Sequence, residues 1–149
     1  MDIITGLRDK STQSFISKKA QMYTLFCIAF KMLDNGVALS PMLIQTFKAF
    51  VNAYNCFRNE YDITFTNEQL RNTNEEIKKY KLASSEGINK LANRVIRLET
   101  LWEICVKDNA NIIAQMEELE SIYKKQAELN KAASDAFDNE DLVDISGIE

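Results

Sequence analysis

Apolar residues recur at helical spacing along most of this chain. Phe15, Met22, Phe26, Ala29 and Leu33 share one face of a helix predicted over 12–34, and Ile16, Tyr23 and Phe30 widen that face. A helix apolar over so much of its circumference is expected to be largely buried. Asn35-Gly36 ends it, because glycine tolerates the left-handed cap conformation. Ser40-Pro41 starts the next helix, with serine as N-cap and proline in the first turn. There Phe47, Phe50, Tyr54, Phe57 and Tyr61 follow at gaps of three and four, an aromatic stripe flanked by Ile44 and Val51. The short connection between these two helices predicts an antiparallel hairpin.

Thr66 and Gln69 have the spacing of a capping box and mark a third start. Beyond this point the composition changes: ten of the fourteen aromatic residues lie in 1–65, so the front is aromatic and the rear leaner and more charged. The rear carries a heptad pattern. With Ile88 at position a, the seam continues through Leu91, Val95, Leu98, Trp102, Cys105, Asn109, Ile112, Met116, Leu119 and Tyr123, then Gln126, Asn130 and Ala133. A seam held in step this long indicates a coiled coil or a long bundle helix. As one helix, 85–134 would extend roughly 75 Å, more than a hairpin of two short helices can cover. A partner helix, from a second copy or another protein, is therefore expected. The stretch 81–87, which includes Gly87, is the place where that helix could break. Asn109 at a central a position either fixes register or sits where the helices splay. Trp102 is too large for a tight two-stranded seam and suggests a thicker bundle.

The expected fold is thus all-α. A short aromatic helical hairpin (1–65) is followed by a long coiled-coil-like segment (66–134) and an acidic C-terminal tail (135–149). The chain has 149 residues and a net charge of −4, and its acidity is a tail property. Asp135, Asp138, Glu140, Asp141, Asp144 and Glu149 give the tail −6 with no basic residue, which leaves +2 for 1–134. Phe137, Leu142, Ile145 and Ile148 would be its docking anchors. Only 4 Gly and 1 Pro argue against an all-β architecture, which needs frequent turns. Three scattered cysteines, Cys27, Cys56 and Cys105, argue against a disulfide framework and for a reducing, cytoplasmic setting. The most apolar stretch, Met22 to Leu33, is too short to span a membrane, and the N-terminus lacks the pattern of a secretory signal.

The chemistry the residues could carry is limited. There is no histidine, which removes the commonest general base and neutral metal ligand. No phosphate-binding glycine loop, nucleophile elbow or metal-binding motif is present. The cysteines lack a histidine to activate them and read as core residues. Glu117, Glu118 and Glu120 read as a solvated helix face. Lys78, Lys79, Lys81, Lys90, Arg94 and Arg97 form a basic segment that could meet phosphates, but it lacks interleaved aromatics. Abundant Asn and Lys without His would suit an AT-rich genome such as that of a phage, virus or mobile element. The expectation is a non-catalytic protein–protein interaction protein without cofactor or metal: a scaffold, adaptor or assembly factor that pairs with itself or another protein through the long helix. Two alternatives are an inhibitor using the acidic tail as a nucleic-acid decoy, and a nucleic-acid-binding regulator using 78–97.

Overall fold

The computed structural model describes the backbone of residues 2–107 and 111–148, and the side chains of 3–107 and 111–136. Among the described residues all regular structure is helical. The order is α1 (Asp2–Leu7), α2 (Gln13–Ile16), α3 (Lys19–Asp34), α4 (Pro41–Cys56), α5 (Glu68–Ala83), α6 (Leu91–Leu101) with a π-turn at Trp102–Val106, and α7 (Ile112–Ile148). None of the described helices is long and apolar enough to cross a membrane.

Local chemistry sets these boundaries. Asp9 accepts from the backbone N–H groups of Ser11 and Thr12 at 2.8 and 3.0 Å and turns the chain between α1 and α2. At Lys18 the backbone becomes extended (ψ 133°), which divides the expected 12–34 helix into α2 and α3. This bend sends Phe15 inward. α3 ends at Gly36, whose φ of +66° closes the turn while the Val37 N–H reaches back to the Met32 carbonyl at 2.8 Å. Ser40 caps α4 by accepting from the Leu43 N–H at 3.1 Å, as its Ser-Pro sequence predicts. α5 starts one residue later than the capping box suggests, with Asn67 accepting from the Leu70 N–H at 3.1 Å.

Aromatic residues from both halves of the chain fill the core. The Phe15 ring meets Phe47, Phe50, Tyr54 and Tyr80 at centroid separations of 5.8, 6.1, 5.3 and 6.2 Å. Tyr80 is fully buried and donates its hydroxyl to the Gln21 side chain. α4 presents Phe47, Phe50 and Tyr54 inward, as its stripe predicts, but ends at Cys56, so Phe57 and Tyr61 of the expected stripe lie in the extended chain beyond it. α4 packs mainly along α7, where the buried Phe57 meets Tyr123 at 5.4 Å. α3 packs against α6 instead, so the expected α3–α4 hairpin is not a closed unit. Front and rear helices interleave around one continuous core.

The expected single helix over 85–134 is also corrected. The chain turns after α5 at Ser84 and again at Gly87 (φ +56°) before α6 begins. Arg97 fixes this turn from below. Its guanidinium is buried and donates to the Ala83 carbonyl (2.6 Å), the Ile88 carbonyl (3.0 Å) and Thr24 Oγ1 (3.1 Å). At the far end of α6 the Lys107 N–H donates to the Trp102 carbonyl at 3.1 Å, the i→i+5 spacing of a π-turn, and Lys107 itself is extended. α7 then starts afresh at Ile112. Asn109 lies outside the described residues. No boundary appears between 134 and 135: α7 continues through Ile148.

These breaks divide the heptad seam. Cys105, Ile112, Met116, Leu119 and Tyr123 are buried within the chain itself. Leu98 and Trp102 are half-buried against the core, while Ile88, Leu91 and Val95 remain exposed. The chain's own helices therefore cover the lower part of the seam.

Candidate protein-docking surface

The outward side of α3 carries Tyr23, Phe26, Phe30 and Leu33, at helical gaps of three, four and three. They are 49, 37, 70 and 69% exposed. This corrects the expectation of a largely buried helix. α3 turns Leu25, Ile28, Ala29 and Met32 to the core and leaves its second apolar face in water.

α6 lies beside this face. Thr24 meets Arg97, the Arg94 guanidinium stacks over the Tyr23 ring at 5.2 Å, and Lys31 Nζ sits 4.4 Å from the centroid of the Trp102 ring. These pairs advance together along both helices, so α3 and α6 run parallel. On α6, Leu91 (74% exposed) and Val95 (40% exposed) lie outward of Arg94, with Leu98 and Trp102 half-buried next to them. At about 200 Å² for a fully exposed large side chain, the six exposed residues on the two helices present roughly 700 Å² of side-chain surface.

Charge is ordered along this surface. Lys18 and Lys19 open α3, and Asp34 closes it. Lys90 and Arg94 lie at the start of α6, and Glu99 and Glu103 toward its end. Glu103 pairs with Lys107 at 3.1 Å, and Lys31 is held over Trp102. The start of the paired helices is thus strongly basic and their end weakly acidic.

Of the expected anion-binding residues, Lys79 and Lys90 line one open cleft together with Glu86, and the others are held elsewhere. Arg97 is buried with its donors used on two carbonyls and a hydroxyl, so as a phosphate contact it is corrected to a structural clamp. Lys81 donates to the Tyr54 and Phe57 carbonyls at the end of α4, both at 2.8 Å. Lys79 pairs with Glu76 at 3.4 Å, and Arg94 covers Tyr23. Lys78 and Lys90 are exposed on different helices. Among the described residues no group of acids and cysteines could hold a metal ion. Cys105 is buried, and burial pushes its thiol well above the usual range. The cavity it lines with Leu43, Thr46 and Ile112 holds about 240 Å³, below the ~300 Å³ at which ligand pockets begin. The side chains of Phe137, Leu142, Ile145 and Ile148, expected as tail anchors, lie outside the described residues. Along α7, side chains 127–136 are exposed.

Lys81 gives a pH-dependent readout of the core at the end of α4. Burial, together with the nearby Arg58 and Lys18 charges, pulls its pKa from 10.5 down to about 8. Between those values the unfolded chain holds a proton that the folded chain has released. Stability from this group therefore rises with pH through that window, and below about pH 8 the penalty is present in full. The neutral amine still has two hydrogens for the two carbonyls. Cys56, Cys105, Tyr54, Tyr80 and Tyr123 are pushed up by burial and act in the opposite sense at higher pH. In urea titrations across pH 7 to 10, Lys81→Met is expected to lose stability with pH more steeply than the parent chain. Parallel profiles would show that Lys81 is not desolvated.

The sequence reading selected the seam but missed the α3 face. The signal available is the second set of apolar residues on α3, whose spacing alone implies extra burial. No family model, no curated protein and no solved structure matches the chain.

Proposed function

We propose that this protein is a non-catalytic docking module that joins assemblies by burying the α3/α6 face against another protein surface. The observation that carries this reading is the exposure of Tyr23, Phe26, Phe30 and Leu33 on α3 beside Leu91 and Val95 on α6. Leaving large apolar side chains in water forgoes about 1.5–3 kcal/mol each relative to full burial, and covering them together drives association. The basic and acidic ends of the face add orientation rather than bulk affinity. The helical extension of α7 past Tyr123 carries the −6 segment and provides a second contact. Three free cysteines suit a reducing, cytoplasmic setting, and the Asn- and Lys-rich composition without His suits a viral or mobile-element source.

A photo-crosslinking side chain placed at Leu33 or Leu91, in the full chain and in the cells that make it, tests the reading. Discrete protein adducts are expected from both positions and not from Lys131 on the exposed part of α7. Equal, diffuse labelling from all three positions would reject a docking role for the face.

A further inference from the structure

The order of charge along the α3/α6 face selects an occupant. Lys19, Tyr23, Phe26, Phe30, Leu33 and Asp34 share the outward side of α3, so this side begins with a cation, runs through four apolar residues and ends with an anion. An isologous contact places a surface against itself reversed, and each residue then meets its symmetry counterpart. Reversal puts Lys19 opposite Asp34 of the other copy, Tyr23 opposite Phe30, and Phe26 near the two-fold axis. On the neighbouring helix the same operation sets Lys90 and Arg94 toward the Glu99 and Glu103 end of the second α6. The weakly acidic end, where Lys31 and Lys107 offset part of the charge, receives the strongly basic one.

We infer that the α3/α6 face binds a second copy of this chain, antiparallel about a two-fold axis near Phe26, so that two α3/α6 pairs stack face to face as two layers of two helices. The inference rests on the docking reading above and names its partner. The size of the face agrees with it: roughly 700 Å² of exposed side chain is close to the ~800 Å² that each partner contributes to a standard interface. Antiparallel helices also place the positive end of each helix dipole beside the negative end of its neighbour. A parallel arrangement would bring Lys19 and Arg94 of both copies together. Tyr23 and Phe30 are of similar bulk about the proposed axis, so this register stacks one on the other while it matches Lys19 with Asp34, and Leu33 falls opposite the smaller Ala20.

Sedimentation equilibrium of the full chain, over a concentration series reaching the high micromolar range, tests this directly. The parent chain is expected to move from monomer to dimer and no further. Lys19→Asp and Asp34→Lys each create two like-charged contacts in a symmetric dimer, and each is expected to weaken dimerisation about tenfold. The combined Lys19→Asp/Asp34→Lys variant restores opposite charges across the axis and is expected to return to within about threefold of the parent. Both positions are exposed, so circular dichroism should show all three variants folded. A parent chain that stays monomeric throughout the series overturns the inference. So does a dimer whose double variant is no better than the single ones. If the crosslinks from Leu33 and Leu91 then lead to a different protein, the docking reading survives and only the identity of the occupant fails.

Discussion

Replacing Arg97 by alanine is expected to lower the unfolding free energy by about 2–4 kcal/mol. Two opposing contributions set this range. The substitution orphans the buried Ala83 carbonyl, with about 1–3 kcal/mol at stake, and leaves the partly exposed Ile88 carbonyl to water. It also removes the aliphatic stem that fills the space between α3 and α6. Against this, it relieves the desolvation of a charge that is paired only with neutral acceptors. The lost hydrogen bonds win because they hold the α5–α6 turn closed. Thr24 loses less, since its hydroxyl also donates to the Ala20 carbonyl at 3.0 Å. Arg97→Lys should recover only part of the loss, because one ammonium cannot reproduce the fork that reaches three acceptors. Urea titration gives the magnitude. Amide exchange gives the location, since protection over 84–90 should fall more than protection in α4. A variant with parental stability and unchanged exchange in that segment would mean the clamp is not formed.

Arg97 also shows where the sequence was legible and where it was not. The existence of α3, α4 and α5, the Ser40 cap and the inward stripe of α4 all follow from local spacing, because α4 is apolar on one side only. α3 is apolar all round, so periodicity cannot say which side the core takes. The core took Leu25, Ile28 and Met32 and left the aromatic side out. The heptad count over 88–133 assumes a constant number of residues per turn. Gly87 breaks the helix before that register starts, and the π-turn at Trp102–Val106 shifts it in the middle. Burial beyond the π-turn still falls on Ile112, Met116, Leu119 and Tyr123, since each helix restores its own periodicity. In the basic segment, residue type gave the charge but not the environment. Whether a cation faces solvent, caps α4 or sits under a turn depends on contacts 9 to 73 positions away in the chain.

The same substitution at two seam positions is expected to have opposite outcomes. Met116→Asp should abolish cooperative folding, and Leu91→Asp should leave stability within about 0.5 kcal/mol of the parent. Both residues are a or d positions of one sequence pattern, so a single long coiled coil would predict similar damage at each. In the folded chain they have different surroundings. Met116 is fully buried in the core where α7 packs against α4 and α5. An aspartate there loses about 2–5 kcal/mol of apolar packing and adds a desolvated carboxylate worth several kcal/mol more. The sum rivals the 5–15 kcal/mol that holds an ordinary domain together. Leu91 is the first residue of α6 and mostly in water. An aspartate there sits at the positive end of the helix dipole, a slightly favourable place for a carboxylate. Dilute samples keep self-association from contributing to the measured stability. Far-UV circular dichroism with thermal melting separates the cases: a sharp, parental melt is expected for Leu91→Asp and a broad or absent one for Met116→Asp. Because Leu91→Asp preserves the fold while placing charge in the α3/α6 face, its loss of crosslinks and of dimer would be a property of the surface alone. If the two variants melted alike, the division of the seam into an interior half and a docking half would be wrong.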